Sequence, residues 1–259
     1  MNQRMLGVGL VAMFTTACSN TTGGDLIALP FQVGGVQRDT SRPFSFVTPT
    51  GWTVTLDHAL IAVGPLYFNV DAPRTGAFRS GVVIVEATEQ TIVDALDPSL
   101  HDVPGGADGE TGDAVAVEVG LLSPDSTNRA AQPANAARLG DGFGYVSGTA
   151  VMGTTTVPFQ GTLAVNTSLV TPTEPLADLQ RIKGAGVDLH FRSAPATLEL
   201  RVDPTHWFDQ TDFSAIASGT APPTGYTWTV NSAFAAQLLQ GVKTESGVYA
   251  FDLAPGTAP

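Results

Sequence analysis

The chain predicts an all-β protein: an antiparallel β-sandwich of Greek-key type with one short helix near its C-terminus. Three observations carry that expectation. Several short runs alternate apolar and polar residues with a period of two, the spacing of a strand with one buried face. The 259 residues include 28 glycines and 18 prolines, enough to punctuate many short strands. Apolar residues make up 43% of the chain and charged ones only 14%, a composition that builds a core. No repeat of fixed period runs through the sequence, which argues against a propeller or solenoid.

The elements follow in order. Phe31 to Val36 and Phe44 to Val47 open the series, the second bracketed by Pro43 and Pro49. The clearest pattern comes next: Trp52, Val54, Leu56 and His58 alternate with Thr53, Thr55 and Asp57. It runs into the wholly apolar Ala59 to Val63, so this strand is expected to be buried on both faces in its second half. Gly64-Pro65 breaks the run and Leu66 to Val70 resumes it; Gly81 to Ala87 reads as another strand. Thr91 to Leu96 is expected to form a short helical turn, and Asp97 to Asp113 a loop dense in Pro, Gly and acidic residues. Val115 to Leu122 alternates again, and Ser123 to Arg138 reads as a polar, Ala-rich connection.

Phe143 to Val151 and Thr155 to Val165 flank Met152-Gly153-Thr154 and predict a hairpin, with Pro158 placing its second strand at an edge or a bulge. Val187 to Arg192 and Thr197 to Asp203, four residues apart, predict a second hairpin. Ser232 to Gln240 has the marks of a helix: Ser232 as cap, Phe234 and Leu238 on one face, and Gly241 as the stop. Gly247 to Leu253 closes the fold. The expected organisation is a single sandwich domain over residues 31–254, with a short tail at 255–259.

The first eighteen residues are of a different kind. Arg4 supplies a positive charge, Met5 to Phe14 is uncharged and mostly apolar, and small residues precede Cys18. Ten such residues rise only about 15 Å as a helix, half of a bilayer core, so the segment matches a secretory signal and is too short to span. Thr15-Thr16-Ala17-Cys18 resembles the cleavage box of a bacterial lipoprotein precursor, with Thr15 where such boxes usually carry Leu. That resemblance implies cleavage after residue 17 and acylation of Cys18 with fatty chains such as palmitate. Residues 18–30 are then expected to act as a flexible tether. Ser19 stands where an aspartate resembles an inner-membrane retention signal, which points to the outer membrane. Cys18 is the only cysteine, so no disulfide can form within the chain.

Charge excludes one class of partner. The formal net charge is −12, and lysine occurs only at Lys183 and Lys243. Nucleic-acid binding needs a basic face to displace counterions, and none is provided. Catalytic signatures are missing too. Gly144-Tyr145-Val146-Ser147-Gly148 has the wrong spacing for a nucleophile elbow and lies within a predicted strand. The sequence shows neither a glycine-rich phosphate loop opening a helix nor a His-Glu-x-x-His motif. The expectation is a binding protein and no enzyme.

Metal binding is the sharpest chemical expectation. The four histidines are His58, His101, His190 and His206, and imidazole suits copper or zinc. His101 opens a glycine-rich stretch whose backbone would let His101 and Glu110 converge on one ion, with His190 as a third ligand. The alternative for each histidine is a hydrogen-bonded structural role. Asp108, Glu110 and Asp113 supply hard oxygens that suit calcium, though not at EF-hand spacing. After cleavage only Met152 would remain as a methionine, which excludes a methionine-type copper site.

Two resemblances bear on this. Gly51 to Leu56 running into Ala59 to Phe68, the His101 to Glu110 stretch, Ser147-Gly148-Thr149-Ala150, and Leu200 to Pro204 with Trp207-Phe208 resemble uncharacterised lipoproteins of myxobacteria and related bacteria. The order of an early apolar strand, a Gly-Thr-Ala hairpin and a late Val-Asp strand followed by Trp-Phe is distantly similar to the MbnP-like copper-binding proteins of the periplasm and cell surface. The chain lacks the four-cysteine signature of some of those proteins. The resemblances imply an envelope lipoprotein, anchored through its lipid and facing the periplasm or surface, that binds a metal ion such as copper. The alternative is a structural or protein-interaction module of the envelope with no metal, which would show an exposed apolar patch instead of converging polar side chains.

Overall fold

Fifteen strands and four short helices make up the computed structural model, which describes residues 23–72, 81–167, 170–171, 175–217, 225–244 and 247–256. The first ten strands are β1 (Leu26–Leu29), β2 (Phe31–Gly35), β3 (Phe44–Val47), β4 (Thr53–Val63), β5 (Leu66–Asn69), β6 (Val83–Ala87), β7 (Thr91–Asp94), β8 (His101–Asp102), β9 (Ala107–Glu110) and β10 (Gly112–Gly120). Helices α1 (Ser126–Ala131) and α2 (Pro133–Leu139) lead into β11 (Gly144–Met152) and β12 (Thr155–Leu163). After α3 (Leu176–Leu179) come β13 (Arg181–Phe191) and β14 (Ala196–Val202). Two 3₁₀ turns (Thr205–Phe208 and Phe213–Ala215), α4 (Ala233–Val242) and β15 (Tyr249–Pro255) complete the chain.

The all-β reading holds, with the strands divided among three sheets that share one main core. The six-stranded sheet has the order β1-β9-β6-β5-β10-β13, the five-stranded one β12-β11-β4-β3 with β7 also on β4, and the four-stranded one β15-β14-β2-β8. Every ladder is antiparallel except β2 with β14, which runs parallel. Within the segment expected as a tether, Leu26–Leu29 form an edge strand paired to β9.

Strand β4 shows how sequence sets burial. Ser147 pairs with His58 but Gly148 with Leu56, so Asp57 is an extra residue and the strand bulges there. The bulge switches which residues face inward: Val54 and Leu56 before it, Ala59, Ile61 and Val63 after it, all in the main core. Leu60 and Ala62 point the other way, into a small second core with Ile92, Ala136 and Leu139. The double burial expected for Ala59–Val63 is therefore real, but a helix covers the second face where a sheet was expected.

Several expectations are corrected. Residues 123–138 form two helices: the Asp125 carboxylate caps α1 by accepting from the Asn128 amide at 2.8 Å, and Pro133 starts α2 where its missing N–H costs nothing. Thr91–Asp94 is a strand because it completes the edge of β4 beside β3. The 97–113 loop contains β8 and β9 and the start of β10. Strands β13 and β14 do not pair; β13 lies on β10 and β14 between β15 and β2, so residues 192–195 are a corner between sheets. The β11–β12 hairpin is as expected, Met152 opposite Thr155 with Gly153 at φ 59°, and Pro158 sits on an edge strand. Helix α4 is capped by Ser232, whose hydroxyl accepts from the Ala235 amide at 3.1 Å. Gly241, expected as its stop, lies inside the helix, because a Cβ there would collide with the Trp207 carbonyl.

The segment between β14 and β15 covers the inner face of the five-stranded sheet with aromatic side chains. Phe213 stands 4.9 Å from Phe159, 5.3 Å from Phe234 and 5.5 Å from Trp52, centroid to centroid. Trp228 adds to Phe234 at 4.9 Å. Offset and edge contacts of this kind add about 0.5–1.5 kcal/mol each beyond the burial itself.

Candidate functional site

Each histidine has an aspartate beside it. His101 stands on the two-residue strand β8 opposite Val33, with Nε2 3.0 Å from Asp97 Oδ2. The Asp97 carboxyl is held below its usual value, first by the Ser99 amide, with the Ser99 hydroxyl and His101 adding to it. His190 on β13 lies opposite Asp113, its Nδ1 2.9 Å from that carboxylate and its Nε2 3.6 Å from Asp188. Arg192 donates to Asp113 at 2.7 Å, and this bond, ahead of the one to His190, holds the Asp113 carboxyl low. His206 meets Asp209 at 2.8 Å, while His58 Nδ1 is buried, 3.6 Å from Asp94 and without a hydrogen bond.

The three expected metal ligands do not gather. His101 belongs to the four-stranded sheet, whereas Glu110 on β9 and His190 on β13 lie near opposite ends of the six-stranded order. Glu110 faces Leu26 across the β1–β9 ladder. Among the described residues no group of three or more His, Cys, Asp or Glu side chains is placed to hold a metal ion. Cys18, expected to carry the lipid, lies outside the described residues. No described helix is long and apolar enough to cross a membrane.

What the structure does assemble is a groove at one corner of the six-stranded sheet. Strands β1, β9 and β6 meet there, with Leu26 opposite Glu110, Ala28 opposite Asp108, and Asp108 opposite Glu86. A Cβ at Gly109 would collide with the Ile84 carbonyl, so glycine is what lets β6 close on β9 over just two residue pairs. The groove has a volume of about 670 Å³ and is walled by Leu26, Ile27, Val82, Val83 and Ile84. Leu26 is 82% exposed, Val82 49% and Val83 42%. Its ionisable wall residues are all acidic: Glu86, Asp108 and Glu110. Glu86 and Asp108 are exposed and form no ion pair among the described residues.

No protein-family model, no curated protein and no solved structure matches this chain. The functional reading therefore rests on geometry.

A second, smaller concavity of about 210 Å³ lies between β5, β10 and α3. It contains the Glu118–Arg181 ion pair at 2.9 Å, whose guanidinium is also tied to the Ala177 carbonyl at 2.7 Å. Two of the nitrogens of Arg181, Nε and Nη1, are thus engaged by the protein itself.

Sequence reasoning missed the groove. Leu26 and Ile27 fell within a segment read as tether, and Val82 and Val83 read as one more strand. The available signal was the apolar run Leu26-Ile27-Ala28-Leu29 directly after Gly23-Gly24-Asp25, the composition of a strand following a linker.

Proposed function

We propose that this chain is a lipid-anchored protein of the bacterial cell envelope, most consistent with the outer membrane, that acts by binding, and that the β1–β9–β6 groove is its docking face for another envelope protein. The observation that carries the reading is the clustering of Leu26, Val82 and Val83 around one concavity. Isolated exposed apolar residues are ordinary, whereas a contiguous rimmed group marks an interaction surface. An acylated Cys18 stands eight residues before Leu26, at most about 28 Å of extended chain, so the groove would work close to the bilayer surface.

Two measurements test this. Intact mass of the mature N-terminus should show cleavage before a diacylated Cys18; an uncut chain with a free thiol removes the anchor. A photo-crosslinking residue at Val83 should yield one discrete adduct in producing cells, identifiable by mass and lost when Leu26→Asp is added. The same residue at Val151, on the opposite sheet system, should not. Equal adducts from both positions would defeat the docking reading.

Metal binding is the second reading, resting on the exposed His190 imidazole, whose Nε2 lies 3.6 Å from Asp188. Titration with copper(II) and zinc should then show uptake that His190→Ala abolishes. A chain that takes up neither ion retires the idea.

A further inference from the structure

Resting on the docking reading above, we infer that the groove's partner is a protein segment whose aliphatic side chains are flanked by lysine or arginine. The walls dictate the aliphatic part: Leu26, Val82 and Val83 offer branched apolar surface and no aromatic ring, with Ile84 buried at their base. The volume of about 670 Å³ would by size alone suit a small molecule as well, within the range of about 300–1,000 Å³ such sites take. The wall is open on the Leu26 side, where that residue is 82% exposed, so the occupant covers the groove from outside, as a protein segment does, and is not swallowed as a small molecule is.

Charge selects among covering surfaces. Glu86 and Asp108 face each other across β6 and β9 on the exposed side, and the described wall residues include no lysine or arginine. The whole chain carries a formal charge of −12. A second copy would bring acidic residues against acidic residues, and an anionic bilayer surface would do the same. A cationic flank instead gains two carboxylates that form no ion pair among the described residues. Complementary charge sets orientation and on-rate, and the apolar contact supplies the holding energy.

Selection from a random seven-residue peptide display library on the full-length Cys18→Ser chain, which carries no lipid, tests the inference. Enriched peptides should hold Val, Leu or Ile beside Lys or Arg. A synthesised winner should lose about tenfold in affinity on the Glu86→Gln/Asp108→Asn double variant and bind undetectably to Leu26→Asp. Circular dichroism and melting temperature of the variants establish that each is folded. Enrichment of neutral or acidic peptides, or winners indifferent to both variants, overturns the inference. So does concentration-dependent dimerisation lost in Leu26→Asp, or sedimentation with phosphatidylglycerol vesicles lost in that variant, since either names another occupant. An adduct from Val83 with a partner segment lacking basic residues would overturn this inference and leave the docking reading standing. Loss of both the adduct and peptide binding would remove the two together.

Discussion

The covered inner face of the five-stranded sheet and the bare corner of the six-stranded one treat apolar residues in opposite ways. In the first, Trp52, Phe159, Phe213 and Phe234 are each 2% exposed or less, roofed by the chain between β14 and β15. In the second, Leu26 keeps 82% of its surface and Val83 42%, with nothing from the described chain laid over them. The first is aromatic and the second aliphatic, yet both are apolar surface beside a sheet. The lesson is that the described chain has the means to cover a sheet, using α2 on one face of β4 and the aromatic segment on the other, and lays no described segment over β1. Apolar surface left open beside such covers is the surface that the proposed docking would use.

Substitutions should separate the two regions by size of effect. Phe213→Ala removes a side chain packed against four other rings and should cost about 3–5 kcal/mol in urea denaturation; a loss below about 1 kcal/mol would mean the roof is loosely held. Gly241→Ala forces a methyl into the Trp207 carbonyl and should destabilise by about 1–3 kcal/mol, detaching α4 from the same roof. Ser232→Ala deletes the cap of α4 and should cost about 1 kcal/mol, recovered in Ser232→Asp. Leu26→Ser, at the bare corner, should change stability by no more than about 0.5 kcal/mol in the same assay. A larger loss there would mean that Leu26 is structural and would close the contrast.

Acid provides a finer probe. Asp113 lies on the six-stranded sheet and Asp212 at the start of a 3₁₀ turn in the roof, held low first by the Ser214 hydroxyl and then by its amide. Folded carboxyls titrating below their ordinary value near 3.9 stabilise above that pH, and the contribution disappears as pH falls through the lowered folded values. Melting temperature should therefore be flat from neutral pH to about 5 and fall below about 4. Asp113→Asn should lower the neutral plateau and shrink that acid-dependent fall by the same amount, a small change since its side chain and that of His190 are both more than half exposed.

How much of this was readable beforehand depends on whether the determining contacts are local. The β11–β12 hairpin was legible because Gly153 and the flanking alternation specify it within twenty residues. Strand β4 and the cap of α4 were legible for the same reason. The corner at 192–195 was not. Val187–Arg192 and Thr197–Asp203 alternate as hairpin strands do, yet the first joins β10 and the second joins β2 and β15, partners remote in sequence. Helices α1 and α2 carried local signals, Asp125 three residues before Asn128 and Pro133 at a helix start, that the polar composition masked. The groove, like the separation of His101 from Glu110, is a product of which strands meet, and periodicity is silent on that.

The parallel pairing of β2 with β14 ties the beginning of the folded region to its end. Phe31–Gly35 can pair with β8 once residue 102 has been made, but its other edge stays open until residue 202, and the sheet gains its last member with Tyr249–Pro255. A polypeptide emerging from its N-terminus must therefore hold that one edge of β2 unpaired until most of it has appeared. Premature termination before Tyr249 strips the flank of Leu198, Leu200 and Val202, exposing a hydrogen-bonding rail that invites aggregation. Truncated products should thus announce themselves by clumping, which light scattering would detect.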